Sequence, residues 1–197
     1  MKNIFFILAI TLFCNCGAQS PVLSLFNDTR GGVSGAYYKD NYNEFDKFVG
    51  TWKYQVGNKS LTITIQKKTL YYNENDDTYI DMLIGEYKYI NENGVIVVNT
   101  LPNLNLTILK PFENNIAGTL ILDRTLIPAL RRVQLNFIDP ERDYLNRSII
   151  LKHAPAQGSV PAKIEIHFMG DTSTVPSENS PTEIRVPEQD YILIKQP

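Results

Sequence analysis

Asp139-Pro140-Glu141-Arg142-Asp143 is the densest charged cluster of the chain and the first place to look for acid/base chemistry. Two carboxylates sharing a cleft can divide the roles of acid and base, and a separation of about 5 to 9 Å would be glycosidase geometry. The proline after Asp139 and the polar run behind it instead predict a turn between strands, with Arg142 bridging the carboxylates. His153 and His167 are the only histidines, one beside a proline-rich loop and one on the outward parity of a strand. With no acidic pair at ligand spacing, both read as ordinary surface or loop histidines rather than metal ligands or general bases. Asn73-Glu74-Asn75-Asp76-Asp77 offers oxygens to calcium but lacks the alternating ligands and central glycine of a dedicated loop, so a solvated hairpin tip is expected. Gly31-Gly32-Val33-Ser34-Gly35 lacks the helix and lysine that phosphate binding requires, and no nucleophile elbow follows elsewhere. The expectation is a protein without catalytic residues, metal or cofactor; a glycosidase-like hydrolase would rest on Asp139 and Glu141 alone.

The two cysteines, Cys14 and Cys16, sit inside a leader-like start. Lys2 and the apolar run from Ile4 to Phe13 have the form of a signal peptide, and the run is shorter than the roughly 20 residues that span a bilayer. Ala18, with Cys16 two places before it, fits a small-residue cleavage site that leaves Gln19 as the mature N-terminus. Cys16, followed by Gly17, also resembles the lipid-accepting cysteine of a bacterial lipoprotein, although Phe13-Cys14-Asn15 departs from the small residues usual there. Cleavage after Ala18 yields a soluble periplasmic or secreted protein without cysteine, closing off disulfides and thiolate chemistry. Lipidation of Cys16 yields a membrane-anchored one, and membrane contact is expected only in that case.

About 180 mature residues suffice for one domain with a sizeable core. The net charge of −2 provides no basic field for nucleic acid, and no transmembrane helix is expected. Three units follow: a signal peptide over 1–18, an extended or loop-like arm over 19–43, and a β domain over 44–197. Within the arm, Val22 to Phe26 could form a short strand, while Tyr37, Tyr38 and Tyr42 lie back on the domain or dock on a partner.

From Glu44 the hydrophobic period becomes two. Trp52, Tyr54 and Val56, then Leu61, Ile63 and Ile65, alternate with polar residues about a turn at Gly57-Asn58. Tyr79 to Ile90 continues the pattern with a bend or bulge expected at Gly85, and Asn91 to Gly94 forms a hairpin turn before Val95 to Asn99. Further strands are expected at Leu104 to Leu109, Ala117 to Leu122, Arg132 to Ile138, Ser148 to Lys152, Lys163 to Phe168 and Tyr191 to Lys195. Helix is confined to short turns near Asn43 to Phe48 and Pro128 to Leu130. The fold class is all-β: an antiparallel up-and-down barrel, or a strongly curled sandwich, of about 9 to 11 strands. Gly170 to Pro187, long and punctuated by proline, reads as a mobile rim loop, with a lid over a cavity as the sharper alternative.

Phe45 to Tyr54, with Gly50-Thr51-Trp52, resembles the turn and Gly-x-Trp that open the first strand of lipocalin-like barrels. That resemblance implies that Trp52 packs over one end of the barrel and that the interior takes a small apolar ligand. More widely, Phe48 to Tyr54, Ile84 to Ile90, Asp139 to Leu145 and Tyr191 to Gln196 resemble an uncharacterised family of exported proteins from flavobacteria and relatives. The expected function is a non-catalytic exported barrel binding a small apolar or amphipathic ligand, with a protein or glycan interaction module of the cell envelope as the alternative.

Overall fold

Alternation of apolar and polar side chains turns most of the chain into strands. The computed structural model describes residues 21–26, 32–106, 110–145, 147–170 and 177–197. Cys14, Cys16, Ala18 and Gln19 lie outside them, as do Gly31 and residues 107–109 and 171–176. Eleven strands result: β1 (Val22–Ser24), β2 (Tyr37–Lys39), β3 (Gly50–Val56), β4 (Lys59–Asn73), β5 (Thr78–Ile90), β6 (Ile96–Asn99), β7 (Ile116–Leu122), β8 (Arg132–Phe137), β9 (Arg147–Ala154), β10 (Lys163–Gly170) and β11 (Tyr191–Lys195).

β3, β4, β5, β7, β8, β9, β10 and β11 each pair antiparallel with the next, and β11 returns to β3. Closure makes an eight-stranded up-and-down barrel and removes the edges that an open sheet would expose. The three remaining strands all draw on β5, whose length lets different stretches of one edge take different partners. Leu83 to Gly85 pair with β7, Lys88 to Ile90 with β6, and Tyr79 and Ile80 with β2, which in turn pairs in parallel with β1. Within the expected extended or loop-like arm, Val22–Ser24 and Tyr37–Lys39 are thus short strands laid onto the projecting β4–β5 hairpin.

Inward positions form one continuous core. Trp52, Leu61, Ile63, Tyr87, Phe137, Ile149, Leu151, Ile164, Tyr191 and Leu193 are all buried within it. Tyr87 stacks on Phe137 at 4.5 Å, Phe137 meets Phe168 edge-on at 5.1 Å, and Tyr54 meets Tyr191 at 5.0 Å, so aromatic rings fill one half of the interior. Outside the wall, Met82, Ile84 and Ala117 form a small second core under Tyr71 and Leu104.

Two local expectations change. Gly85 lies in unbroken register with Ile65 and Ile116, and the shift in β4–β5 pairing falls between Lys68 and Tyr71. Glycine is required at 85 by close approach: a Cβ there would stand 2.8 Å from the Thr64 carbonyl oxygen. Leu101–Asn105 is a 3₁₀ turn, so the described part of the strand expected at Leu104 to Leu109 is not strand; Pro102 near its start favours the turn over a ladder. The expected turns at 43–48 and 128–130 are present as Asp46–Phe48 and Pro128–Leu130, both 3₁₀.

Candidate functional site

Each end of the barrel is closed, by different means. At the first, buried Asp40 accepts hydrogen bonds from the Glu44 and Phe45 backbone N–H groups at 2.8 and 3.0 Å and pairs with Lys67 at 2.9 Å. Those bonds fix the turn that sends Phe45 and Phe48 into the barrel mouth. Gly50 follows with φ +127°, and a Cβ there would meet the Lys195 stem at 3.1 Å. Trp52 lies fully buried, its Nε1 donating to the Phe48 carbonyl at 2.8 Å. Lys195 Nζ stands 5.2 Å above the indole ring, and His153 presses edge-on against both Phe48 and Trp52. His153, expected as a surface or loop histidine, is thus a half-buried residue of β9 packed against two rings. Burial lowers its imidazole pKa, with Lys47 and Lys195 adding to the effect.

The opposite end is covered by the stretch preceding β11. Ile184 and Val186 are buried in the core, and Arg185 between them reaches Asp139. Its guanidinium Nη2 lies 2.5 Å from the carboxylate and its backbone N–H 2.8 Å, while Nη1 pairs with Glu141 at 2.6 Å. The expected turn at 139–143 is present, but Arg185 bridges the carboxylates; Arg142 instead donates to the Glu183 carbonyl. Forty-six residues separate Asp139 from Arg185, so adjacency in sequence pointed to the wrong arginine. Burial opposes ionisation of Asp139, yet the hydrogen bonds from Arg185 and from the Glu141 backbone outweigh it and hold the carboxyl below its usual range. Tyr144 and Tyr191 donate to the Pro181 and Pro187 carbonyls at 3.1 and 2.8 Å. The described part of the expected mobile rim loop is accordingly a fastened plug.

A concavity lies on the outer wall. Outward residues of β8, β9, β10 and β11 line a groove of about 390 Å³, including Arg132, Ile150, Lys152, Glu165, His167 and Ile192, with Asp190 at its rim. Register places Lys152 opposite Glu165, Glu165 opposite Ile192, and Ile150 opposite His167. Lys152 pairs with Glu165 at 3.2 Å, and His167 Nδ1 meets Asp190 Oδ1 at 2.6 Å. The Lys152 hydrogen bond lowers the Glu165 pKa against a small opposing effect of burial, and Lys163 assists. Alternating charges thus flank an aliphatic floor of Ile150 and Ile192. His167 and Asp190 are both largely exposed, a wet setting that suits recognition better than a tuned general base.

Sequence reasoning missed Asp190, Arg185 and Lys195. Ile192 did carry a signal, being a large aliphatic at outward parity in Tyr191-Ile192-Leu193-Ile194. Glu86 is a further buried carboxylate: Asn115 donates to it through N and Nδ2 at 3.2 and 2.7 Å, while burial pushes its pKa up despite these bonds and one from Thr100. The Asn73 to Asp77 stretch is a hairpin tip closed by Asn73 Nδ2 donating to Asp76 at 2.7 Å. Among the described residues, no group of three or more His, Cys, Asp or Glu is placed to hold a metal ion, and no helix is long and apolar enough to cross a membrane.

A family model described as a family of unknown function (DUF6705) matches residues 1–196. No curated protein and no solved structure matches the chain.

Proposed function

The chain belongs to that family of unknown function, and on this footing we propose that it is an exported, non-catalytic β-barrel that recognises a protein partner in the cell envelope with its outer wall. The carrying observation is the contrast between a filled interior and a built exterior. Large side chains occupy the inward positions from Trp52 through Tyr87 and Phe137 to Tyr191, and both mouths are stoppered. A small apolar ligand, the leading expectation from the sequence, would have to displace them. The outer groove offers instead an aliphatic floor with charged partners of both signs. Tyr191 also lines it, but its side chain is fully buried with the hydroxyl on the Pro187 carbonyl, so no aromatic platform of the kind that stacks on sugars is offered, which favours a polypeptide over a glycan.

Support for export comes from Met1 to Ala18, whose basic start, apolar core and small residue at 18 suit cleavage before Gln19, with lipidation of Cys16 the membrane-anchored variant. Against catalysis, each Asp139 oxygen is engaged by Arg185. A lipocalin-like relationship is supported by Gly50, Trp52 and the up-and-down topology, and the flavobacterial likeness by the segments that suggested it. An NMR titration of the mature protein with solubilised envelope proteins tests the proposal. Resonances of Ile150, Lys152, Glu165, His167 and Ile192 should shift together; shifts centred on Tyr87, Phe137 and Tyr191 would contradict it.

A further inference from the structure

We propose that the Trp52 end of the barrel docks on a lipid bilayer through the connection between β7 and β8, with Leu126, Ile127 and Leu130 entering the interface. These three aliphatics share one short turn and are 44, 65 and 53% exposed, with Tyr42 beside them at 61%. Isolated apolar residues on a surface are ordinary, but several large ones on a single projecting turn are not.

The turn is held in shape. Lys47 Nζ donates to the Pro128 and Arg131 carbonyls at 2.5 and 3.0 Å, and Arg131 Nε to the Leu126 carbonyl at 2.8 Å. Arg131 lies 4.2 Å from the centre of the Phe26 ring and 5.8 Å from that of Tyr42, and it pairs with Glu44. Arg124 donates to the Phe26 carbonyl at 3.0 Å. The aliphatic tip therefore stands on a base in which Lys47, Arg124 and Arg131 are engaged by backbone carbonyls and, for Lys47 and Arg131, by buried Glu44, with a tyrosine beside Arg131. A rigid turn with an aliphatic tip suits a membrane interface, where aliphatics enter the acyl boundary and a phenol ring sits at headgroup level.

Two further observations select a bilayer as the occupant. The chain enters the described structure at Pro21 and runs through β1 to Phe26, beside this turn. Cys16 lies five positions earlier, a reach of at most about 17 Å, so a lipid there would bring this end of the molecule to the surface. The other end, where Val56, Val95 and Ile96 are exposed about the Gly57-Asn58 and Asn91-Gly94 turns and Lys59 pairs with Glu92 at 3.3 Å, lies at the opposite end of β5 from the entry of the chain. Docking by the turn needs neither the lipid nor the outer groove, so it stands or falls separately from protein recognition.

Co-sedimentation with vesicles of phosphatidylcholine containing a minority of phosphatidylglycerol tests it, using the exported protein carrying Cys14→Ser and Cys16→Ser so that no lipid can be attached. The parent should partition onto these vesicles. Leu126→Ser/Ile127→Ser/Leu130→Ser should reduce partitioning at least about tenfold with unchanged thermal melting, since the replaced side chains are exposed. Val95→Ser/Ile96→Ser at the far end should leave it unchanged. Absence of vesicle binding by the parent, equal binding by the triple variant, or an equal loss in the Val95/Ile96 variant would each overturn the proposal.

Discussion

The two ends of the barrel are stoppered by opposite strategies. At the Trp52 end, the plug is the chain segment immediately before β3, and the hydrogen bonds that shape it are local, Asp40 capping Glu44 and Phe45 and Phe48 accepting from Trp52, while Lys67, His153 and Lys195 pack on it from other strands. At the far end, the plug arrives from a distant stretch, seats Ile184 and Val186, and is fastened by the buried Arg185–Asp139 pair. The far seal depends on a distant segment finding its seat, so a single broken pair there should loosen that end without the other.

The largest expected effect lies at the first end. Trp52→Ala should cost about 3–5 kcal/mol in chemical denaturation, because it removes a buried indole and strands the Phe48 carbonyl. Next is Asp139→Ala, which leaves Arg185 with exposed Glu141 as its remaining carboxylate and should cost roughly 3 kcal/mol. Hydrogen exchange should then accelerate around Ile184 to Val186 while the amides of β3 and β4 stay protected. Uniform acceleration across both ends would erase the distinction between them.

Acid separates the ends more finely. His153 is depressed below its ordinary value of 6.5, so the unfolded chain takes up a proton first as the pH falls. The stability His153 provides is complete above that value and declines as the pH drops through it toward the folded pKa. Asp139 is depressed below 3.8, so its contribution survives that range and is lost only as the pH falls through its lower folded value. His153→Gln should flatten the first decline and Asp139→Asn the second, each leaving the other in urea titrations across pH. Smallest of all, Lys152→Ala should change stability by less than about 1 kcal/mol, since the pair with Glu165 is exposed. Any effect of that variant should appear in partner binding.

Legibility followed the same divide. Period-two alternation carried the barrel, its strand count and the short turns, since inside and outside are written residue by residue along each strand. Gly50 and Trp52 stood out because the turn that leads into them, from Phe45 to Phe48, is contiguous with them in sequence. Arg185 was not, because an arginine in a polar, proline-rich stretch gives no sign of the carboxylate it will meet across the barrel mouth. The outer groove was half written: Ile192 breaks the polar parity of the outward face, but only the β9–β10–β11 register brings it beside Glu165 and near His167. Tyr37 and Tyr38 became strand through β5, whose spare edge no local pattern discloses.

Native mass spectrometry of the protein purified from its own envelope asks most directly whether the interior is filled by the chain itself. The expected spectrum shows the mature chain, with or without a covalent lipid at Cys16, and no small molecule retained in the barrel. A stoichiometric apolar ligand that survives gentle ionisation and is lost on unfolding would contradict it.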